Sequence, residues 1–226
     1  CVLVGPLRDE DTVIERVHAS GMPYLSFGRL YRLPELNYAV LDYEHGAMVS
    51  MEYLLARGHR HIAMISPFPG FQPEAERYNG YAKAMRHAGF DMDDRLVRPV
   101  SFAAESIAST VHRLLADRRV TAVIDSTPTE DASALREGAR RAGRTPGKDF
   151  EIVAWTYSPD AVVLPEANAH VWLPLNEAVT EGLERLAAWE GGESSDPIQV
   201  AYRPILSDAP REKMVPKPER LFEMLG

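Results

Sequence analysis

The chain of 226 residues predicts an α/β fold, in which a parallel sheet carries helices on both faces. Short apolar runs alternate with amphipathic segments of roughly 10–15 residues, the pattern typical of strand–helix–strand units. One such unit is complete in the run YAVLDYEHGAMVSMEYLLARGHRHIAMIS, from Tyr38 to Ser66. Such crossovers are almost always right-handed, so a doubly wound sheet follows. Ligands of these folds bind beyond the carboxyl ends of the strands, where we look for site residues.

The limits of the helix in this unit follow from its sequence. Asp42 comes directly after the apolar run 39–41, and its carboxylate can accept hydrogen bonds from the first-turn N–H groups. Gly58 can adopt the left-handed conformation that ends a helix. Between them, apolar residues recur on one helical face: Ala47, Met48, Met51, Leu54 and Leu55.

The remaining elements are predicted in the same way from apolar periodicity and Gly or Pro stops. Segment 67–76 contains three prolines and one glycine and is predicted to be irregular. The other strands are predicted at 2–4, 23–27, 96–100, 120–124, 152–155 and 198–206. The other helices are predicted at about 9–20, 78–88, 107–115, 135–142 and 179–187, the last capped by Asn176.

Composition excludes several classes of protein. The formal net charge is −8, which argues against nucleic-acid binding by this segment alone, because phosphate binding needs a basic face. The single cysteine, Cys1, permits no internal disulfide. No apolar run approaches the roughly 20 residues that span a bilayer, so no membrane partner is expected.

Catalytic motifs do not stand out. The sequence has no G-x-G-x-x-G after its first strand, no G-x-x-x-x-G-K-[ST] and no G-x-S-x-G. His59 and His61 lie two residues apart, but no further ligand is at a metal-binding spacing nearby. We therefore expect neither an enzyme nor a cofactor, although a small α/β enzyme such as a hydrolase stays open as an alternative.

Five stretches carry a family resemblance. The most specific is LLARGHRHIAMI, which matches the pattern L-x-x-x-G-H-x-x-I-[AG]. The others are GMPYLSFGR, VLDYEHGA, ERYNGYAKAMRHAGF and TAVIDSTPTEDASALREGARRAGRTPGKDFEIVAW. Together they resemble the effector-binding core of the LacI/GalR family of bacterial transcription regulators, which is itself similar to type I periplasmic sugar-binding proteins.

The resemblance implies two lobes joined by three crossovers, with an effector between them. It places residues 1–60 and 171–192 in an N-terminal lobe that lacks its first βα unit. It places residues 62–169 and 197–206 in a C-terminal lobe, and leaves 207–226 as a tail. It further implies that a helix-turn-helix headpiece, which would contact operator DNA, lies upstream of Cys1.

The resemblance also assigns candidate effector contacts. Arg77 falls on the family's effector-contacting arginine, and a guanidinium can hold hydroxyls or a carboxylate through its fork of donors. His45 lies where family members carry a polar ligand-facing residue, and Phe102 matches an aromatic residue that stacks on a ring. The ordinary alternatives are a solvated helix-start arginine, helix-start polarity and a core phenylalanine.

Three departures from the family pattern bear on the effector. Thr127-Pro128 replaces the family's Asn-Asp or Gly-Asp pair, and Thr156 stands where an aspartate is usual. Trp172 and Leu173 replace polar residues of a crossover. Two sugar-binding carboxylates are therefore missing and an indole is added, which predicts a sugar-like or aromatic-bearing effector less polar than a simple hexose, or a partly degenerate pocket.

The sequence thus predicts the effector-binding and dimerisation core of a cytoplasmic LacI-type repressor. A homodimer is expected, with the first helix and the helix at 130–142 as candidate surfaces. The alternative is a solute-binding receptor for a transporter, which has the same two lobes.

Overall fold

The computed structural model describes residues 1–5, 7–8, 10–129, 132–158, 164–194 and 196–208. Its strands are β1 (Val2–Leu3), β2 (Leu25–Ser26), β3 (Tyr38–Leu41), β4 (Ile62–Ser66), β5 (Val97–Pro99), β6 (Ala122–Asp125), β7 (Glu151–Thr156), β8 (Ala169–Trp172), β9 (Gln199–Tyr202) and β10 (Ile205–Ser207). Its α-helices are α1 (Val13–Ala19), α2 (Tyr43–Ala56), α3 (Gln72–His87), α4 (Ala104–Ala116), α5 (Ser133–Arg141) and α6 (Leu175–Glu190). A short 3-10 helix spans Asp94–Leu96.

The strands form two sheets. The first has the order β1-β2-β3-β9 and is parallel throughout. The second has the order β10-β8-β7-β6-β4-β5 and is parallel except for β10, which runs antiparallel to β8. The chain passes between the sheets three times, after β3, β8 and β9. The predicted two-lobed α/β fold with three crossovers is therefore confirmed.

Sheet membership differs from the predicted lobe limits near the C-terminus. The predicted strand 198–206 is two strands, because Pro204 lacks the N–H group that a continuous ladder needs. Its first half, β9, pairs with β3 in the first sheet, and only β10 joins the second. Residues 171–172, predicted in the first lobe, belong to β8 and pair with β7 in the second sheet.

Two helix starts also differ from the predictions. α3 begins at Gln72, inside the segment predicted to be irregular, because Pro73 lies in the first turn, where a helix needs no N–H donor. α6 begins at Leu175 after Pro174, rather than after Asn176. The start predicted for α2 is confirmed, since the His45 N–H donates to Asp42 Oδ1 at 2.9 Å.

α2 packs closely on α3 at Gly80. A Cβ atom on Gly80 would lie 2.2 Å from the Glu44 carbonyl oxygen, so only glycine allows the two backbones to pack at this distance. On its other side α2 rests on Trp155 of β7, whose Nε1 donates to Ser50 Oγ at 3.1 Å. α2 falls within the predicted first-lobe segment 1–60, yet it packs on elements of the second sheet.

The candidate dimer surfaces differ in character. α1 exposes Val13, of which 59% is accessible. α5 instead buries Ala134, Leu135 and Ala139 inside the chain and leaves ion-paired side chains outside. Residues 130–131 of the predicted dimer helix and 209–226 of the predicted tail lie outside the described residues, so the homodimer stays a prediction. No helix among the described residues is long and apolar enough to cross a membrane.

We expect Gly80→Ala to lower the free energy of unfolding by about 2–3 kcal/mol, because the added methyl group forces α2 away from α3. Chemical denaturation followed by Trp fluorescence measures this change. The neighbouring exposed residue supplies the control, since Asn79→Ala adds no contact and favours the helix. Equal stability of the two variants would contradict the close packing of these helices.

Candidate functional site

A cavity lies between the two sheets, beyond the carboxyl ends of their strands. Its volume is about 210 Å³, below the roughly 300–1,000 Å³ of most ligand pockets, so it has room for a small ligand. Most of its walls are apolar or aromatic. The first lobe contributes Gly5, Leu7, Phe27, Gly28, Arg29, Ala39, Val40, Leu41 and Leu175, and the elements packed on the second sheet contribute Tyr43, Phe68, Gln72, Pro73, Glu76 and Tyr157.

The polar edge of the cavity is a bridge between the lobes. Arg29, in the loop after β2, donates through Nε to Glu76 Oε1 of α3 at 3.2 Å. The Tyr31 hydroxyl donates to the same oxygen at 3.0 Å, and Arg29 Nη2 donates to that hydroxyl at 2.8 Å. The side chains of Arg29 and Glu76 are only 13% and 4% exposed. Burial raises the pKa of Glu76, and the bonds from Arg29 and Tyr31 partly offset this effect.

Arg77, the next residue of α3, is fully buried behind the cavity wall. None of its Nε, Nη1 and Nη2 atoms has a hydrogen-bond partner among the described residues. Its guanidinium carbon lies 4.3 Å from the ring centroid of Tyr43 and 5.3 Å from that of Trp155. Burial lowers the pKa of the guanidinium, although an arginine stays protonated in proteins. The N–H donors of the Arg77 guanidinium thus lie close to the cavity without a hydrogen bond to any described residue.

Tyr43 separates Arg77 from the cavity. It is the first residue of α2, its ring lines the cavity, and it stacks parallel to the Trp155 ring at a centroid distance of 6.4 Å. Its hydroxyl interacts with that of Tyr157, which follows β7 and also lines the cavity. Burial raises the pKa of Tyr43, so this hydroxyl is neutral at physiological pH.

Two other predicted contacts lie near the cavity wall without forming part of it. His45 occupies the first turn of α2, two residues beyond the wall residue Tyr43. Phe102, in the loop after β5, is 51% exposed and packs edge-to-face on the wall residue Phe68 at 5.1 Å. Phe102 thus contacts a wall residue directly, whereas His45 is related to the wall only by its position in the sequence.

The three departures from the family pattern lie at the carboxyl ends of strands in the second sheet. Thr127 follows β6 and donates through Oγ1 to Asp125 at 2.6 Å. Thr156 ends β7 and is the register partner of Trp172, at the end of β8. Both threonines and Trp172 are buried, and Trp172 Nε1 has no hydrogen-bond partner among the described residues. The structure therefore brings Thr156 and Trp172 together, whereas none of the six predicted contacts is among the described residues that line the cavity.

The sequence reasoning missed the residues that do line it. Tyr157 adjoins Thr156, and Tyr43 adjoins the Asp42 cap, so each stood beside a residue that was singled out. Arg29 directly follows β2, a position that the rule for strand ends points to. No local sequence pattern indicates a role for Glu76, because its partner Arg29 is 47 residues away along the chain.

The arrangement is suited to binding. Its charged groups lie on α3 and on the loop after β2, the hydroxyls of Tyr43 and Tyr157 add hydrogen-bonding groups, and most of its other walls are apolar. Among the described residues, no group of three or more His, Cys, Asp or Glu side chains could hold a metal ion. A small polar ligand with one apolar face fits these walls.

We expect Arg29→Met to destabilise the protein by about 3 kcal/mol at neutral pH, because Glu76 is then buried without its cation. Loss of the cation raises the pKa of Glu76 further. A carboxyl group whose folded-state pKa is raised destabilises the fold above that pKa, and the deficit shrinks as the pH falls toward the unfolded value of about 4.3. Urea denaturation between pH 4.5 and 8 tests this dependence.

The double variant Arg29→Met, Glu76→Gln is the matched control, because it removes both charges. Its stability relative to the unmodified protein is expected to change little over the same pH range. A deficit of Arg29→Met that is equal at both ends of the range would contradict the role assigned to Glu76.

Comparison with known proteins agrees with this architecture. The family of periplasmic binding protein-like domains matches residues 51–202. The HTH-type transcriptional regulator CelR of Thermobifida fusca is 28% identical over 203 residues, which cover 88% of this chain and 59% of that protein. The chain thus spans little more than half the length of this relative.

Solved structures give the same result. A regulatory protein of the LacI family from Chloroflexus aggregans superposes with a TM-score of 0.77 at 25% identity, covering 91% of this chain and 73% of that chain. A CelR–cellobiose complex superposes with a TM-score of 0.76 at 26% identity, covering 91% and 63%. The chain therefore belongs to the family of periplasmic binding protein-like domains, in the form found in the effector-binding cores of LacI-type transcription regulators.

Proposed function

We propose that this chain binds a small sugar-like effector between its lobes and thereby controls a DNA-binding transcription regulator of which it is the core. The observation that carries the proposal is the buried guanidinium of Arg77, which has no hydrogen-bond partner among the described residues and lies directly behind the wall of the cavity between the lobes. A buried charge without acceptors is costly in a structural role, and that cost is relieved when a ligand supplies them.

The lobes supply the conformational coupling. The Arg29–Glu76 bridge and the apolar walls belong to elements of both sheets, so a ligand in the cavity contacts both lobes at once. Such a ligand binds a closed arrangement better than an open one and shifts the population toward closure. Its differential affinity for the two arrangements sets the size of the shift, and hence of any effect on DNA affinity.

The names of the relatives support regulation rather than solute uptake or catalysis. The relative from Thermobifida fusca is named an HTH-type transcriptional regulator, and one similar solved structure is a complex of a transcriptional regulator CelR with cellobiose. We propose that this chain also forms a homodimer, which binds operator DNA through a helix-turn-helix segment, because two half-sites require two-fold symmetry. Within the core, we assign direct effector contacts to Arg77, Tyr43 and Tyr157. We assign indirect contacts, made through neighbouring residues, to His45 and Phe102.

The assignment of Arg77 is tested by a thermal-shift screen against sugars, nucleosides and aromatic acids. A ligand at a hundred times its Kd stabilises the folded state by about 2.7 kcal/mol. In a domain of this size that shift raises the Tm by roughly 5–10 °C. We expect Arg77→Ala to weaken the same ligand at least tenfold, since each hydrogen bond to a charged group contributes about 1.5–3 kcal/mol.

Arg86→Ala is the matched control, because Arg86 lies on the same helix and is exposed. It should leave the ligand-induced shift unchanged. Retention of full affinity by Arg77→Ala would refute the assignment, and a gel-shift assay of the regulator with its helix-turn-helix segment, with and without the ligand, tests control of DNA binding.

A further inference from the structure

We infer that the effector carries an oxyanion, a carboxylate or a phosphate, which pairs with Arg77. This inference rests on the proposed function and specifies the chemical class of ligand that the same cavity takes. It follows from how the charged groups around the cavity are already engaged.

The guanidinium of Arg77 is a full positive charge with no acceptor. Its side chain is completely buried, and all three of its nitrogen atoms have no hydrogen-bond partner among the described residues. Buried charges in proteins are normally paired with an opposite charge and hydrogen-bonded. The ring of Tyr43, 4.3 Å from the guanidinium carbon, offers only a cation–π contact, which supplies no acceptor atom.

The nearest carboxylate serves other groups. Glu76 Oε1 accepts hydrogen bonds from both Arg29 and Tyr31, so its charge is matched by Arg29. Among the described residues that line the cavity, the charged ones are Arg29 and Glu76, and they pair with each other. The guanidinium of Arg77 therefore has no hydrogen-bonded carboxylate in the part of the chain that the structure describes.

Two further carboxylates nearby are also engaged. Glu74 Oε2 accepts from the Gly70 N–H at 2.5 Å, at the start of α3. Asp42 Oδ1 accepts from the His45 N–H and caps α2, where a negative charge balances the positive end of the helix dipole. Neither forms a hydrogen bond with Arg77.

An oxyanion completes this arrangement better than a hydroxyl group does. Sugar hydroxyls supply acceptor atoms but no charge, whereas a carboxylate or phosphate accepts two parallel hydrogen bonds from a guanidinium and neutralises it. The apolar and aromatic walls lower the local dielectric constant, which strengthens the attraction between opposite charges. The ring of Tyr43 lines the cavity and lies 4.3 Å from the guanidinium carbon of Arg77, so a single side chain stands between this charge and the cavity.

Matched pairs of neutral and acidic sugars test the inference by isothermal titration calorimetry. The pairs are glucose with glucuronate and cellobiose with cellobionate, and the methyl ester of glucuronate is a neutral analogue of similar shape. Glucose 6-phosphate distinguishes a phosphate ligand from a carboxylate ligand. We expect an acid to bind at least tenfold more tightly than its neutral partner, and the preference to disappear in Arg77→Met but to persist in Arg86→Met.

Binding of a neutral sugar as tightly as its acid would overturn this inference and leave the proposed function intact. Failure of both series to bind would count against the inference and the proposed function together. A second measurement needs no ligand: Arg77→Met removes an unpaired buried charge and keeps most of the side-chain volume, so it should raise the Tm of the free protein. A lower Tm would show that the charge is already compensated and would overturn the inference.

Discussion

The close approach of α2 to α3 at Gly80 is the constraint on which the site depends. Because Gly80 has no side chain, the first turn of α2 lies directly on α3. This contact sets the ring of Tyr43 over the guanidinium of Arg77. Small residues also allow close packing on the other face of α2. Gly46 leaves just enough room for the Trp155 ring, and Ser50 Oγ accepts a hydrogen bond from the indole N–H of Trp155. A bulkier helix surface would separate the wall of the cavity from the charge behind it.

The second organising feature is that two adjacent residues of α3, Glu76 and Arg77, carry opposite charges and face different surroundings. Glu76 faces the first lobe and is bound by Arg29 and Tyr31, whereas Arg77 is turned into the protein toward Tyr43 and Trp155. The hydrogen bonds of Glu76 with Arg29 and Tyr31 join the two lobes. In the proposed function, a ligand binds the guanidinium of Arg77, and lobe closure and ligand recognition are linked through a single turn of α3.

This chain lacks two carboxylates of the family pattern. Thr127 and Pro128 stand at the position of one pair, and Thr156 stands where the other aspartate is usual. Thr127 and Thr156 are buried and hydrogen-bonded locally, to Asp125 and Ser158 respectively. They supply no negative charge to balance Arg77. From these departures the sequence predicts a less polar effector, whereas the inference of an anionic effector rests on the buried guanidinium of Arg77. The two differ because the sequence shows which acids are missing, and only the structure shows that this guanidinium has no hydrogen-bond partner among the described residues.

The sequence alone determined the alternation of strands and helices, the cap at Asp42 and the stop at Gly58, because these depend on local periodicity and on the backbone preferences of single residues. Its family motifs also predicted two lobes and drew attention to Arg77. Tertiary structure decided the rest. Pairing of β9 with β3, whose register partners such as Tyr38 and Gln199 are 161 residues apart along the chain, depends on which strand edge is free when the chain returns. The walls of the cavity depend on contacts such as Arg29 with Glu76, which no local pattern encodes. Burial of Arg77 is likewise a property of the packed helices, since the same residue at a helix start is exposed unless its neighbours enclose it.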